Sequence, residues 1–494
     1  MDIFQSTILL TAVNLLLRFA GTSFQVFLSS RIGAAGIGLL QLTLSVGSLA
    51  MVAGTGGIRT AAMYLTAGEL GRRKPENTTW ILSGCFVYSV IFSGVVAFLL
   101  YRFAPVIAES WIGDIRVVPA LRLFSAFLPC TCLCGVMTGY FTAAKRIGTL
   151  AAVEVAEQLA SMALTMILLQ FWAGSDSARA CLSVVLGSSL GACLTLMCLV
   201  ILRLREHAPT GRRIAVSRNI CRTALPLAVA DDLRTGISTL ENLMVPKRLA
   251  LNTSIDSPLA VFGTLSGMVF PILMFPACIL YGLAELLIPE LARCRASGSK
   301  QRISYLVKRS LKVALLYGAL FSAMMMLLSD TLGIALYDNP EVGKSLRIYA
   351  LLIPMLYCDA IVDAMIKGLG QQTVSVRYNI FTNILDLTFL YILLPKYGMN
   401  GYFFSFLLTH AVNFGLSLQR LLKITGERLS LYIPLCTLMA GFGAVLAASH
   451  LSGVIPQSLA FLLLWSCLLY LLGVLRGEDL RWLKGLIRKT HPPA

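Results

Sequence analysis

The chain has 494 residues, 57% of them hydrophobic and only 13% charged. That charged share is about half the usual value for a soluble domain, so water could not solvate the chain as a globule, and little is left outside a bilayer to do soluble chemistry. The net charge of +17 invites a nucleic-acid reading, but segments on one side of the apolar stretches hold about 29 Lys and Arg against about 9 on the other, which is topology and not a nucleic-acid footprint.

About fourteen apolar stretches, each roughly 18–25 residues long, run from Thr7 to Leu475 between short polar breaks. An all-α polytopic membrane protein is therefore expected. The start, Met1-Asp2-Ile3-Phe4, has no basic n-region, so the first stretch reads as a retained helix. Basic loops recur at Arg72–Lys74, Lys145–Arg146, Arg203–Arg222, Arg293–Lys312, Arg420–Arg428 and Arg476–Lys489, and they alternate with poor ones such as Tyr101–Pro119 and Asp330–Lys344. With an even number of crossings, both termini are expected in the cytoplasm of a bacterial cell.

Ionisable or amide groups within apolar spans are costly and point to a cavity or pathway. The first span carries Asn14, Arg18 and Gln25 on one helical face. A guanidinium there needs an anionic partner or water, and a phosphate suits its fork. Cys130, Cys132 and Cys134 of the fourth span cannot all turn to one side of a helix, and the four histidines are scattered, so no transition-metal site is expected. Glu154 and Glu157, in the fifth, are expected near the headgroups.

Residues 206–222 are polar and basic and read as a linker. The seventh span follows with Asp231, Asp232, Arg234 and Glu241, and the eighth with Pro271, Pro276 and Pro289, which predict bends. In the tenth, Asp359, Asp363 and Lys367 stand four apart, and the Asp363–Lys367 pair fits a local salt bridge. Asn379, Asn383 and Asp386 form a stripe on the eleventh, offering oxygen ligands of the kind that suit a hard cation or, equally, helix-to-helix hydrogen bonds.

Pro129 and Pro354 fall opposite each other at an offset of about 225 residues, as six duplicated helices would give. The expected domains are a lobe at 1–205, the linker, a second lobe at 223–425, two further helices at 426–476 and a tail at 477–494. Neither a phosphate-binding glycine loop nor an acidic or histidine cluster for membrane group transfer is evident, so no enzymatic chemistry is expected.

Several runs carry a family resemblance. Arg31-Ile-Gly-Ala-Ala-Gly-Ile-Gly-Leu-Leu-Gln-Leu, Ser238-Thr-Leu-Glu-Asn-Leu-Met-Val-Pro-Lys, Leu286-Leu-Ile-Pro-Glu-Leu, Asp363-Ala-Met-Ile-Lys-Gly-Leu-Gly-Gln-Gln and Leu394-Pro-Lys-Tyr-Gly-Met-Asn-Gly-Tyr resemble the stage V sporulation protein B family. Its superfamily also holds lipid II flippases, O-antigen flippases and multidrug-and-toxin extruders. The resemblance implies two six-helix lobes around a cavity open alternately to each side, with the two extra helices forming a groove for a polyprenyl tail. It implies that Arg18 meets a pyrophosphate, while Gln25 takes the place of the next basic residue and Arg234 is a candidate for the missing charge. It also implies a sodium site drawn from Asp231 or Glu241 with Asn379, Asn383 and Asp386, with Na+ or H+ as coupling ion.

The function expected is a flippase for an undecaprenyl-pyrophosphate-linked saccharide, lipid II or a relative, in the cytoplasmic membrane, in contact with membrane lipids and with cell-wall synthases as partners. The alternatives are a cation-coupled multidrug exporter and a non-transporting scaffold for wall synthesis.

Overall fold

The computed structural model describes residues 3–72, 75–173, 176–205, 217–253, 255–428, 430–451 and 453–475. The side chain of Asn14, linker residues 206–216 and the tail 477–494 lie outside the described residues. The described chain is helical. In order come α1 (Ile3–Thr55), α2 (Ile58–Gly71), α3 (Thr78–Val106), α4 (Val118–Ala143), α5 (Ile147–Leu168), α6 (Ser177–Leu204), α7 (Ser217–Leu249) and α8 (Pro258–Thr264). They are followed by α9 (Phe270–Met274), α10 (Ala277–Ala296), α11 (Lys300–Tyr337), α12 (Pro340–Tyr349), α13 (Ile353–Gly368), α14 (Gln372–Thr425), α15 (Tyr432–Ala448) and α16 (Val454–Leu471).

Among the described residues nine helices are long and apolar enough to cross a membrane, or ten if the broken pair from Pro258 to Ala296 is one span. Two of them are double. The 53 residues of α1 and the 54 of α14 would each reach about 80 Å as straight rods, against a hydrocarbon core of about 30 Å. Each is interrupted by a glycine outside helical geometry, Gly33 at φ 66°, ψ 179° and Gly398 at φ 54°, ψ −127°. A side chain strongly disfavours both conformations. The polar α7 and the 17-residue α15 fall short of the hydropathy and length that mark the others.

The prolines bend the eighth span as expected, and its two parts meet at 61°. Pro276 has no N–H to give the carbonyl of Ile272, and the N–H of Phe275 takes that carbonyl at 3.3 Å instead. Other carbonyls at the break find tyrosines: Tyr357 Oη donates to Leu273 O at 2.7 Å and Tyr317 Oη to Pro276 O at 2.8 Å. Irregular backbone at this depth survives only where protein satisfies it.

The chain packs as two compact units. The first comprises Met1–Pro271 with Leu387–Tyr402, and the second Ile272–Asp386 with Phe403–Ala494. Contact and repeat are different relations. The repeat expected from sequence divides the chain at the 206–222 linker, whereas contacts keep α7 and α8 with the first unit.

In the first unit α3 packs on α4, α4 on α6 and α6 on α5, and α1 lies against α7 and α8. Its core gathers Ile58, Cys85, Val136, Tyr140 and Phe141. The tip of α14 is tied in here: Asn252 Nδ2 donates to Pro395 O at 3.1 Å, and the Arg248 guanidinium lies 3.2 Å from the Tyr391 ring centre. In the second unit α11 is the hub, in contact with α12, α13 and α15. Ala440, Ala444 and Ala448 of α15, with Phe461 and Trp465 of α16, build a cluster around Ala323 of α11. Small residues let membrane helices approach closely, since lipid gives no hydrophobic drive to join them. Large apolar side chains such as Phe98, Phe171 and Leu463 point outward, as an apolar solvent permits.

A close backbone approach in the first unit joins α1 to α8. A Cβ on Gly38 would strike the carbonyl oxygen of Leu259, and one on Gly263 the carbonyl oxygen of Ala34. Backbone cannot yield as a flexible side chain can, so Gly263→Ala should cost about 1–3 kcal/mol. Gly68→Ala, with nothing within 4 Å of the new Cβ, is the control. Melting the purified variants in detergent checks this, and equal midpoints for the two would refute the close approach.

Candidate functional site

In the first unit a polar stripe runs along α1 through Arg18, Thr22, Gln25 and Ser29, at steps that keep one helical face. Exposure falls along it: Arg18 is exposed, Gln25 half-buried and Ser29 only 4% exposed. Thr22 Oγ1 back-bonds to Arg18 O at 3.0 Å, which leaves the guanidinium free of that hydroxyl. No ion pair to Arg18 occurs among the described residues. Gln25 lies against the π-helical turn Leu265–Val269 between α8 and α9, and its Nε2 is buried without a hydrogen-bond partner.

Two faces of α7 do different work. Thr239 Oγ1 donates to Ser45 O at 3.2 Å and Asn242 Nδ2 to Ser45 Oγ at 3.0 Å, fixing the helix on the second half of α1. The other face carries Asp231, Arg234, Ser238 and Glu241, the first three exposed and Glu241 half-buried. Exposed charge in a membrane helix requires water or a polar ligand beside it. Arg18 and Arg234 thus both belong to the first unit, on helices in mutual contact. Asp232, noted on this span but not among the expected site residues, has its Oδ1 buried without a hydrogen-bond partner.

The second unit holds the acidic stripe. Asp386 is 8% exposed, and its Oδ1 accepts from Ser405 Oγ at 2.7 Å and from Thr409 Oγ1 at 3.1 Å. Those donors lie beyond the Gly398 break, on the returning half of α14. Hydroxyls that donate to a carboxylate keep lone pairs of their own, so the trio presents several oxygens at one point. Asn379 Nδ2 reaches Ser375 Oγ at 3.5 Å, and Asn383 is half-buried. Asp231 and Glu241 belong to the other unit.

Asp363 pairs with Lys367 at 2.6 Å, the local bridge its spacing predicts, and also accepts from Ser375 Oγ. Asp359 Oδ2 accepts from Asn413 Nδ2 at 3.0 Å. Glu157 corrects the expectation of simple interfacial solvation: its Oε2 accepts from Thr195 Oγ1 of α6 at 2.8 Å, and it lines an apolar groove between α5 and α6. The cysteine trio separates as its spacing predicts. Cys132 faces Thr55 of α1, Cys134 Sγ bonds to Ala192 O of α6 at 3.0 Å, and Cys130 meets the Cys193 thiol of α6. No group of three or more His, Cys, Asp or Glu suited to a metal occurs among the described residues.

A family model described as Polysaccharide biosynthesis protein matches residues 3–233, and one described as MatE matches residues 255–392. Stage V sporulation protein B of Bacillus subtilis (strain 168) is 22% identical over 473 residues, covering 92% of this chain and 90% of that protein. Among solved structures, lipid II flippase MurJ in an inward closed conformation gives a TM-score of 0.69 at 14% identity, over 93% of this chain and 98% of that one. An inward-facing multidrug resistance MATE family transporter of the MOP superfamily gives 0.68 at 12% identity, over 84% and 96%. The structural likenesses speak to fold, and the family models and the sequence relative to kinship. The chain is thus similar to stage V sporulation protein B and, over successive stretches, to the polysaccharide biosynthesis and MatE families, and it has the multi-pass helical membrane fold of those solved structures.

Proposed function

We propose that this protein is a transporter, a flippase that carries a polyprenyl-diphosphate-linked saccharide from the inner to the outer leaflet by alternating access. The observation that carries the reading is Arg18, a guanidinium exposed within an apolar helix, with no ion pair among the described residues and a polar stripe leading inward from it. A diphosphate supplies the anion that a desolvated guanidinium lacks, and its planar fork holds phosphate oxygens in pairs. The headgroup cannot cross about 30 Å of hydrocarbon unaided, so it needs a polar path while its tail stays in lipid. Lipid II or a close relative is the substrate proposed. The match to the polysaccharide biosynthesis model over the half that contains Arg18 supports this.

The cation-coupled drug exporter remains the second reading, favoured by the MatE match at residues 255–392. In either reading Asp386, Ser405 and Thr409, with Asn379 and Asn383 nearby on the helix, are proposed to hold a coupling cation, Na+ before H+ because neutral oxygens outnumber carboxylates.

The test is a leaflet-specific assay. Proteoliposomes containing only this protein receive labelled lipid II, and outer-leaflet label is followed with time. Protein-dependent movement is expected. Equal movement with and without protein, alongside sodium-dependent efflux of an organic cation, would replace the flippase by the exporter.

A further inference from the structure

We propose that Gln25 determines headgroup specificity by donating its amide hydrogen bond to a neutral oxygen of the saccharide, while Arg18 holds the phosphate. This rests on the flippase reading of the α1 stripe and names which part of the substrate each residue meets. The Gln25 Nε2 atom is buried and has no partner. Leaving a buried donor unsatisfied is costly, and a ligand that brings an acceptor removes that cost on binding. The surroundings decide which acceptor. Across from the amide lies Gly267, on the π-helical turn Leu265–Val269, where an added Cβ would stand 3.3 Å from Nε2 and would strike the side chain of Ile37. The missing side chain lets Ile37 and the Gln25 amide pack directly against this turn, and the π turn is the kind of local backbone irregularity that recurs at functional sites.

The neighbours that define this corner, Gly267 and Ile37, are uncharged and one is apolar. A phosphate pressed here would exchange its hydration for one neutral N–H, which is a poor trade, whereas a hydroxyl or acetamido oxygen is matched. Arg18 lies seven residues away along α1, roughly 10 Å along the axis. That is about the distance from the lipid-side phosphate of the diphosphate to the far side of the first sugar ring. Phosphate at the exposed end and sugar at the half-buried end is therefore the orientation that fits both residues.

Binding measurements on the purified full chain test it, with three probes: undecaprenyl diphosphate, the same lipid with one hexose, and the same lipid with one N-acetylhexosamine. The readout is the ratio of affinities for sugar-bearing and bare lipid, which is independent of the folded fraction. In the parent the ratio should favour sugar by about tenfold, the worth of one well-placed hydrogen bond. Gln25→Met keeps the length of the side chain without a donor, and Gln25→Ala removes it. Both should bring the ratio to about one while the bare lipid binds as before. A gain for both sugars assigns a ring hydroxyl, and a gain for the N-acetylhexosamine alone assigns the acetamido oxygen. Unequal affinities that survive both substitutions, or a parent ratio of one, would overturn the proposal. Arg18→Ala reports separately on the phosphate site: if it leaves bare-lipid binding intact, the flippase reading fails independently of Gln25.

Discussion

Arg18→Ala should reduce transport of a diphosphate-linked lipid by roughly 30–100-fold, the equivalent of about 2–3 kcal/mol for charge-assisted hydrogen bonds. The protein should reach the membrane in normal amount. No ion pair to Arg18 occurs among the described residues and the side chain is exposed, so removing it leaves no opposite charge stranded inside the fold. Arg18→Lys should keep part of the activity, because the charge remains while the planar fork is lost. The ordering of parent, lysine and alanine variants is therefore the informative result. Full activity in the alanine variant, measured in proteoliposomes at matched protein density, would remove Arg18 from the substrate path. Arg234→Ala provides a comparison, since that guanidinium stands exposed on α7, on a different face from the one bound to Ser45.

Much of the architecture is legible in the sequence because hydropathy acts locally. Stretches of about twenty apolar residues have to be helices in a bilayer, and spacing alone gives the Asp363–Lys367 bridge and the divergence of Cys130, Cys132 and Cys134. Prolines announce the bend at Phe275–Pro276. What stays hidden is nonlocal. The chain has 40 glycines, and nothing in their immediate neighbours distinguishes Gly33 and Gly398, which take positive φ, or Gly38 and Gly263, which let two backbones meet. The grouping of Leu387–Tyr402 with the first unit depends on Asn252, Arg248 and their partners at Pro395 and Tyr391, and an apolar pattern specifies a span without naming its neighbour.

The candidate site shows the same division. Arg18, Gln25 and Asp386 stand out in sequence because polar groups in apolar spans are expensive. The partners of Asp386 do not, because Ser405 and Thr409 are ordinary small residues of a membrane helix, 19 and 23 positions away. Gly267 stands out for nothing until the Gln25 amide is found beside it.

Asp386 carries the other large effect. If Asp386, Ser405 and Thr409 bind sodium, the ion stabilises the folded protein in proportion to its occupancy, by about 2.7 kcal/mol at a hundredfold excess over Kd. The parent should therefore melt higher in sodium than in choline at equal ionic strength. The rival account is a fixed network in which two hydroxyls satisfy a buried carboxylate and no ion enters. It predicts one melting curve in both salts, and a loss of stability in Asp386→Asn that is equal in both. Ion binding predicts that Asp386→Asn abolishes the difference between the salts whatever it does to the midpoint itself. Ser405→Ala separates the accounts further. It removes the shorter of the two hydrogen bonds to Oδ1, 2.7 Å against 3.1 Å, so the network account expects a destabilised protein in either salt. The ion account expects the sodium-dependent gain to shrink as well, because a neutral oxygen ligand is gone. A coupling role demands one thing more: the ion can bias the transporter only by binding one of its orientations better than the other. Replacing a sodium gradient by choline should then slow transport in the parent and leave Asp386→Asn at its own, already reduced, rate.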